Sequence, residues 1–175
     1  MNIKQALAAF FITALLASTT ANSDPVQRFK PGDKTIAEIA SAAPETFSTL
    51  VAALVCTDLL GAVSDPDAEI TVFAPTNQAF GDLGLNAGNI CSELDEETLS
   101  GILLYHVVDE RRPSPSVVNG NNKLIEMLSG GYVYPEGRGS LNLMDATGET
   151  VTIAAPDQLA SNGIIHVVGG VLMPF

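Results

Sequence analysis

The spacing of apolar residues changes once along this 175-residue chain, and that change limits the fold more than any single motif. After Pro44, residues Phe47, Leu50, Val51, Leu54 and Val55 recur at i, i+3, i+4, i+7 and i+8, one face of an amphipathic helix. Leu99, Ile102 and Leu103 repeat that helical spacing. From residue 113 onward the apolar residues fall instead in short extended runs: "KLIEML", "GYVYP", "SLNLMD", "ETVTIAA" and "IIHVVGGVLM". One early run, "ITVFA" at residues 70–74, is β-branched and aromatic and reads as a strand. Helices first and strands later, in a chain of one-domain length, predict an α+β domain.

Local signals punctuate these segments. Thr35 caps "IAEIA", and Glu38 three residues on completes a capping box. "CTDLLGAV" reads as a further helical turn, with Thr57 as its cap and Gly61 near its end. Thr76 caps a short helix whose stripe is Ala79, Phe80 and Leu83. "LNAGNICSEL" reads as a loop. Asp95 caps the next helix and puts Glu96 and Glu97 in its first turn, where the helix dipole favours them. "RRPSPSVVNGNN" reads as a loop, "DATG" as a hairpin turn and "SNG" at 161–163 as another turn.

The first 23 residues have the form of a secretory signal peptide: Lys4, then the uncharged run "ALAAFFITALLA", then small residues. Thr19 and Ala21, or Ala21 and Ser23, fit the −3 and −1 cleavage positions, so cleavage is expected near 21–23. Residues 24–33 form a short polar lead-in and 34–175 a single domain, with no membrane span in the mature form. The formal net charge is −12, and loss of Lys4 makes it one unit more negative. A field of that sign repels nucleic acid, which excludes it as a partner. In an exported chain the lone pair Cys56 and Cys91 reads as a disulfide.

Two histidines sit in similar frames, His106 in "ILLYHVV" and His166 in "GIIHVVGG". A histidine on an apolar strand face is a core group that needs polar partners, and Thr76 and Asn162 are the nearby candidates. A zinc site needs three or four ligands at suitable spacing, which two distant histidines do not supply. No Gly-X-Ser-X-Gly elbow, P-loop or dinucleotide fingerprint is present. "SDPDAE" alternates acids but lacks the glycine and the final acid of a calcium loop. No cofactor is implied. Arg111 and Arg112 form a rare basic point in an acidic chain, suited to an anionic group.

Three stretches, "TVFAPTNQAF" (71–80), "LLYHVV" (103–108) and "ASNGIIHVVGGVLMP" (160–174), together resemble the conserved boxes of the fasciclin-type domain. The cysteine pair flanking the first box is similar to that of exported, single-domain members. The resemblance implies a wedge of about seven strands packed with several mainly N-terminal helices, no cofactor and no enzymatic activity. It places Thr76, His106, Asn162 and His166 in structural motifs, with His106 bonded back toward the first box through Thr76. It also implies an exported, monomeric adhesion or interaction module whose partner is a cell-surface or matrix protein or polysaccharide. Tyr105, Arg111 and Arg112 are the candidate contacts, and the loops at 84–92, 109–122 and 135–139 the candidate surfaces. The alternative is a carrier holding a small apolar ligand or lipid between sheet and helices, in a cavity on the order of several hundred Å³.

Overall fold

The computed structural model describes residues 32–118, 124–136 and 139–174. The expected signal peptide and most of the lead-in lie outside the described residues. Among the latter, no helix is long and apolar enough to cross a membrane.

The first described element is α1 (Ile36–Ser41), and the capping box forms as predicted: the Thr35 hydroxyl accepts from the Glu38 amide while the Glu38 carboxylate accepts from the Thr35 amide. Next comes α2 (Pro44–Cys56), with proline in its first turn, where its missing N–H costs nothing. Phe47, Leu50 and Leu54 of the predicted stripe are buried together with Ala53. Val55, at the edge of that stripe, is 59% exposed. Thr57 is not the start of the following turn. It ends α2, its hydroxyl bonded back to Ala53 O at 2.9 Å, and α3 (Leu60–Ser64) contains Gly61.

Strand β1 (Ile70–Pro75) leads to α4 (Asn77–Gly81), capped by Thr76. Leu83, predicted on its buried stripe, is half exposed. The expected loop around Cys91 contains a short helix, α5 (Ile90–Glu93), and α6 (Glu96–Leu104) follows with Asp95 as its cap. Then come β2 (Val107–Val108) and α7 (Ser114–Val118). The loop expected at "RRPSPSVV" is partly helical, because prolines are tolerated in a first turn. The meander is β3 (Ile125–Glu126), β4 (Tyr132–Pro135), β5 (Asn142–Met144), β6 (Thr150–Ala160) and β7 (Gly163–Val168). "DATG" and "SNG" turn the chain between β5, β6 and β7 as read.

These strands form one seven-stranded sheet in the order β2-β1-β7-β6-β5-β4-β3. Only the β1–β7 pair is parallel. It joins the first box to the last, and every residue of both strands is buried. Strand alternation sorts their side chains into two cores. Ile70, Val72 and Ala74 of β1, with Ile165 and Val167 of β7, pack against α1, α2, α4 and α6. Phe73 and Val168 point the other way, into a core with Tyr105, Ile125, Val133, Leu143 and Ile153. Gly163 opens β7 where an added Cβ would lie 2.1 Å from the Ile70 carbonyl oxygen and 2.7 Å from Ile36 Cδ1. Nothing larger than glycine lets β7, β1 and α1 approach so closely.

The disulfide Cys56–Cys91 joins the end of α2 to α5, with Cα atoms 6.0 Å apart and a sequence separation of 35. Loop-closure entropy gives such a link about 4 kcal/mol.

Candidate functional site

The polar residues of the three boxes gather around the β1–β7 pair, where they bind main chain. The Thr71 hydroxyl donates to Glu110 O at 2.7 Å and accepts from Arg112 N at 2.8 Å, pinning the segment after β2 to β1. Asn77 accepts from Thr49 N at 2.9 Å and donates to Pro44 O and Glu45 O, tying α4 to the start of α2. Asn162 is fully buried. Its Oδ1 accepts from Ile36 N at 2.9 Å, and its Nδ2 donates to Val63 O at 3.0 Å and Asp65 O at 2.8 Å. One side chain thus fastens the first turn of α1 and the end of α3 to the β6–β7 turn.

His106 lies in the turn between α6 and β2 rather than in a strand. Its partner is not Thr76, whose hydroxyl already accepts from Ala79 N as the helix cap. The link to the first box runs instead through the backbone, from Phe73 N to His106 O at 2.8 Å. The ring is buried, with Nδ1 2.7 Å from Ile102 O and Nε2 2.9 Å from Leu172 N. A carbonyl needs a donor and an amide needs an acceptor, so the proton sits on Nδ1. His166 carries the opposite tautomer. Its Nδ1 accepts from Asp157 N at 3.1 Å, and its Nε2 donates to Arg112 O at 2.8 Å. Neither Thr76 nor Asn162 serves it. Its ring stacks at a tilt on Phe73, with centroids 5.4 Å apart. Burial pushes His106 down to about 4 from the usual 6.5, against smaller opposing effects of the Ile102 carbonyl and Asp145. Burial also lowers His166, opposed by the Arg112 carbonyl and Asp157. Both rings are therefore neutral at pH 7, with both nitrogens occupied.

The candidate contacts fare differently. Tyr105 is fully buried, its hydroxyl donating to Tyr132 O at 2.6 Å. An added Cβ at Gly131 would come within 2.6 Å of its ring. A side chain so enclosed belongs to the core and is removed from the set of surface contacts. Arg111 threads its guanidinium into the β6–β7 turn, donating to Ser161 O at 2.6 Å, Gly163 O at 3.4 Å and Ala160 O at 3.5 Å, with Glu69 3.7 Å away. Arg112 pairs with Glu110. The expected basic point is thus compensated by local carboxylates and carbonyls.

Two acids carry more than their sequence suggests. Asp145 is buried and accepts from Thr147 N, the Thr147 hydroxyl and Glu149 N, while its second oxygen accepts from Met173 N at 2.9 Å. The aspartate of the "DATG" turn signals the local bonds; nothing local signals Met173. Asp157 holds a left-handed φ of 58° at an irregularity in β6. Its carboxylate accepts from both the amide and the hydroxyl of Ser114, so it anchors α7 as well as His166.

The enclosed cavity between sheet and helices, beside His106, measures about 20 Å³. That is room for about one water and not for a lipid or other apolar ligand. A larger apolar groove of about 350 Å³ opens to solvent between Phe80, Leu83, Leu99 and Met173. Among the described residues, no three His, Cys, Asp or Glu side chains gather to hold a metal ion.

Comparison with known proteins accounts for this arrangement. The family model "Fasciclin domain" matches residues 45–174. Protein sll1483 of Synechocystis is 38% identical over 143 residues, covering 80% of this chain and 73% of that protein. The transforming growth factor-beta-induced protein ig-h3 of Sus scrofa is 34% identical over 128 residues, which is 73% of this chain but 18% of that protein. Among solved structures, a FAS1 domain pair from the insect cell adhesion molecule Fasciclin I superimposes with a TM-score of 0.70 at 15% identity, covering 81% of this chain and 51% of that one. That likeness concerns the fold, the α+β arrangement of a seven-stranded sheet and helices described above. The family match spans all three boxes, and the chain belongs to the fasciclin-domain family.

Proposed function

We propose that this protein is an exported, non-catalytic interaction module that adheres to a cell-surface or extracellular-matrix component. The observation that carries the reading is the condition of its histidines. Each is neutral, and each has both ring nitrogens bound to main chain, which leaves no imidazole free for proton transfer. The polar residues of the boxes are used the same way, to hold the scaffold. Contacts with a partner then fall to exposed surface on a rigid frame. Support for export comes from the signal-peptide form of the first 23 residues and from a disulfide of the kind an oxidising compartment sustains.

The test is binding of the purified, oxidised mature chain, as a monomer, to intact cells and extracellular matrix of the organism that makes it. Saturable binding that survives washing and is blocked by excess unlabelled protein supports the reading. A chain that stays in solution across cells, matrix and polysaccharides refutes it, and ligand extraction aimed at the open groove beside Met173 becomes the next experiment.

A further inference from the structure

The two ends of the sheet order, β2 and β3, come back toward each other. Leu128 N donates to Val107 O at 2.7 Å and Ser129 N to Leu104 O at 3.3 Å, which gives the seam an antiparallel sense. The registers fix what points into it. Phe73 N bonds His106 O and Thr71 pairs with Val108, so Val107 and Asp109 turn their backbone groups away from β1. Met127 N bonds Gly131 O and Ile125 pairs with Val133, so Glu126 and Leu128 turn theirs away from β4. Two strand edges therefore face one another.

The seam does not close along its length. Continued past Leu128 and Val107, its register sets Glu126 opposite Asp109. Like charges directly opposite destabilise a strand pair. There the edges part around a concavity of about 320 Å³, lined by Asp109, Glu110, Glu126 and Leu128. Beside it, Leu124, Leu128, Tyr132 and Tyr134 are each 40% exposed or more, while Ile125, Met127 and Val133 between them are buried. Alternation puts those four on the outer face of the β3–β4 hairpin. Among the described residues, four of the seven exposed large hydrophobic ones thus share one small face, the pattern expected of an interaction site.

We infer that the open β2–β3 seam, with the outer face of β3–β4, is a docking cleft for an extended basic segment of a protein partner, added as a strand along the exposed edge. The edge supplies main-chain donors and acceptors in register. Lysine or arginine side chains relieve the repulsion between Glu126 and Asp109, and the tyrosine faces accept their cations. This rests on the interaction-module reading and names its surface.

The experiment uses the oxidised mature chain and a peptide of about ten residues alternating lysine and threonine. Two controls run beside it: a glutamate–threonine counterpart and a lysine peptide N-methylated at every second amide. Titration calorimetry gives the affinity, and amide chemical shifts give the location. The lysine peptide should shift Asp109, Glu126 and Leu128 first, and its affinity should fall about tenfold or more in Asp109→Lys/Glu126→Lys, whose substituted side chains lie on the surface. Equal binding of the N-methylated peptide overturns strand addition. Shifts spread over the whole acidic surface, or binding unchanged in the double variant, overturn the cleft. A neutral polysaccharide that shifts the same amides where the peptide does not overturns the peptide as occupant. If the double variant loses the peptide yet still binds cells and matrix, the seam is not the adhesive face and the module reading stands. If the peptide binds the cleft while the wild-type chain fails on cells and matrix, the reverse holds.

Discussion

Lowering the pH from 7 to 4 should destabilise this domain by about 3 kcal/mol through His106 alone. The folded ring titrates at about 4 and the unfolded one at 6.5, and each unit of that difference is about 1.4 kcal/mol. Between those values the unfolded chain holds a proton that the folded chain does not. Unfolding therefore takes up a proton, and stability falls as pH falls. The contribution is intact above pH 6.5 and lost by about pH 4. The structural reason is specific: a proton on Nε2 would meet the Leu172 amide head-on and break a buried bond. His166, lowered in the same direction, adds to the loss. Asp95, lowered from 3.8 chiefly by the Thr98 amide, contributes stability that is lost only as pH falls below 3.8, a lower window. Urea denaturation at intervals from pH 7.5 to 4 would be run on wild type and on His106→Asn, which retains a donor and an acceptor but does not titrate. The variant should be less stable at pH 7 and show a shallower decline. Parallel declines in the two proteins between pH 6.5 and 4 would refute the reasoning, as would nitrogen shifts placing the His106 proton on Nε2.

Other substitutions test the framework. Asn162→Ala strands one amide and two carbonyls, at about 1–3 kcal/mol for each buried group left unpaired; a loss of about 3–5 kcal/mol by denaturation is expected, and under about 1 kcal/mol would show that water replaces the side chain. Gly163→Ala drives a Cβ into the Ile70 carbonyl and should cost about 3 kcal/mol or prevent folding; a wild-type melting curve would contradict the close approach. Tyr105→Phe removes one hydrogen bond, about 1 kcal/mol, and should leave cell binding unchanged once folded; a selective loss of binding would restore Tyr105 as a contact. Reduction of Cys56–Cys91 should lower unfolding free energy by up to about 4 kcal/mol, visible as a shifted midpoint under reducing conditions.

What the sequence revealed was what short-range physics determines. Caps at Thr35, Thr76 and Asp95 lie within three residues of the groups they satisfy, so a local reading finds them. The same holds for the α2 stripe and the "DATG" turn. Misreadings arose where the partner is remote in sequence. Arg111 reads as a candidate contact for an anionic group because its carbonyl acceptors lie about fifty residues away in a hairpin whose position the local pattern does not give. The expected Thr76–His106 bond does not form because the ring's free acceptor, Nε2, is taken by the Leu172 amide, 66 residues on. The β6 strand is longer than "ETVTIAA" because its alternation breaks at Pro156 and Asp157, where an irregularity lets the strand continue. Asp157 carries no local motif at all.

The same distinction separates framework from function in this chain. A side chain whose polar atoms are all bound to remote main chain is held in one geometry, and replacing it is read out as stability. Asn162 and His166 are of this kind, and Arg111, His106 and Asp157 come close to it, each with at least one bond to main chain far away in sequence. The residues of the proposed cleft have the opposite signature: exposed, unremarkable in sequence, and noticeable only when strand register relates them. Glu126 and Asp109 are 17 positions apart in the chain, yet they line one concavity because Leu128 bonds the sheet's end to Val107. Were the seam to zip further, like charges would be forced together; left open, it presents two unpaired edges and an apolar face. The outer face of β3–β4 can therefore change without touching either core.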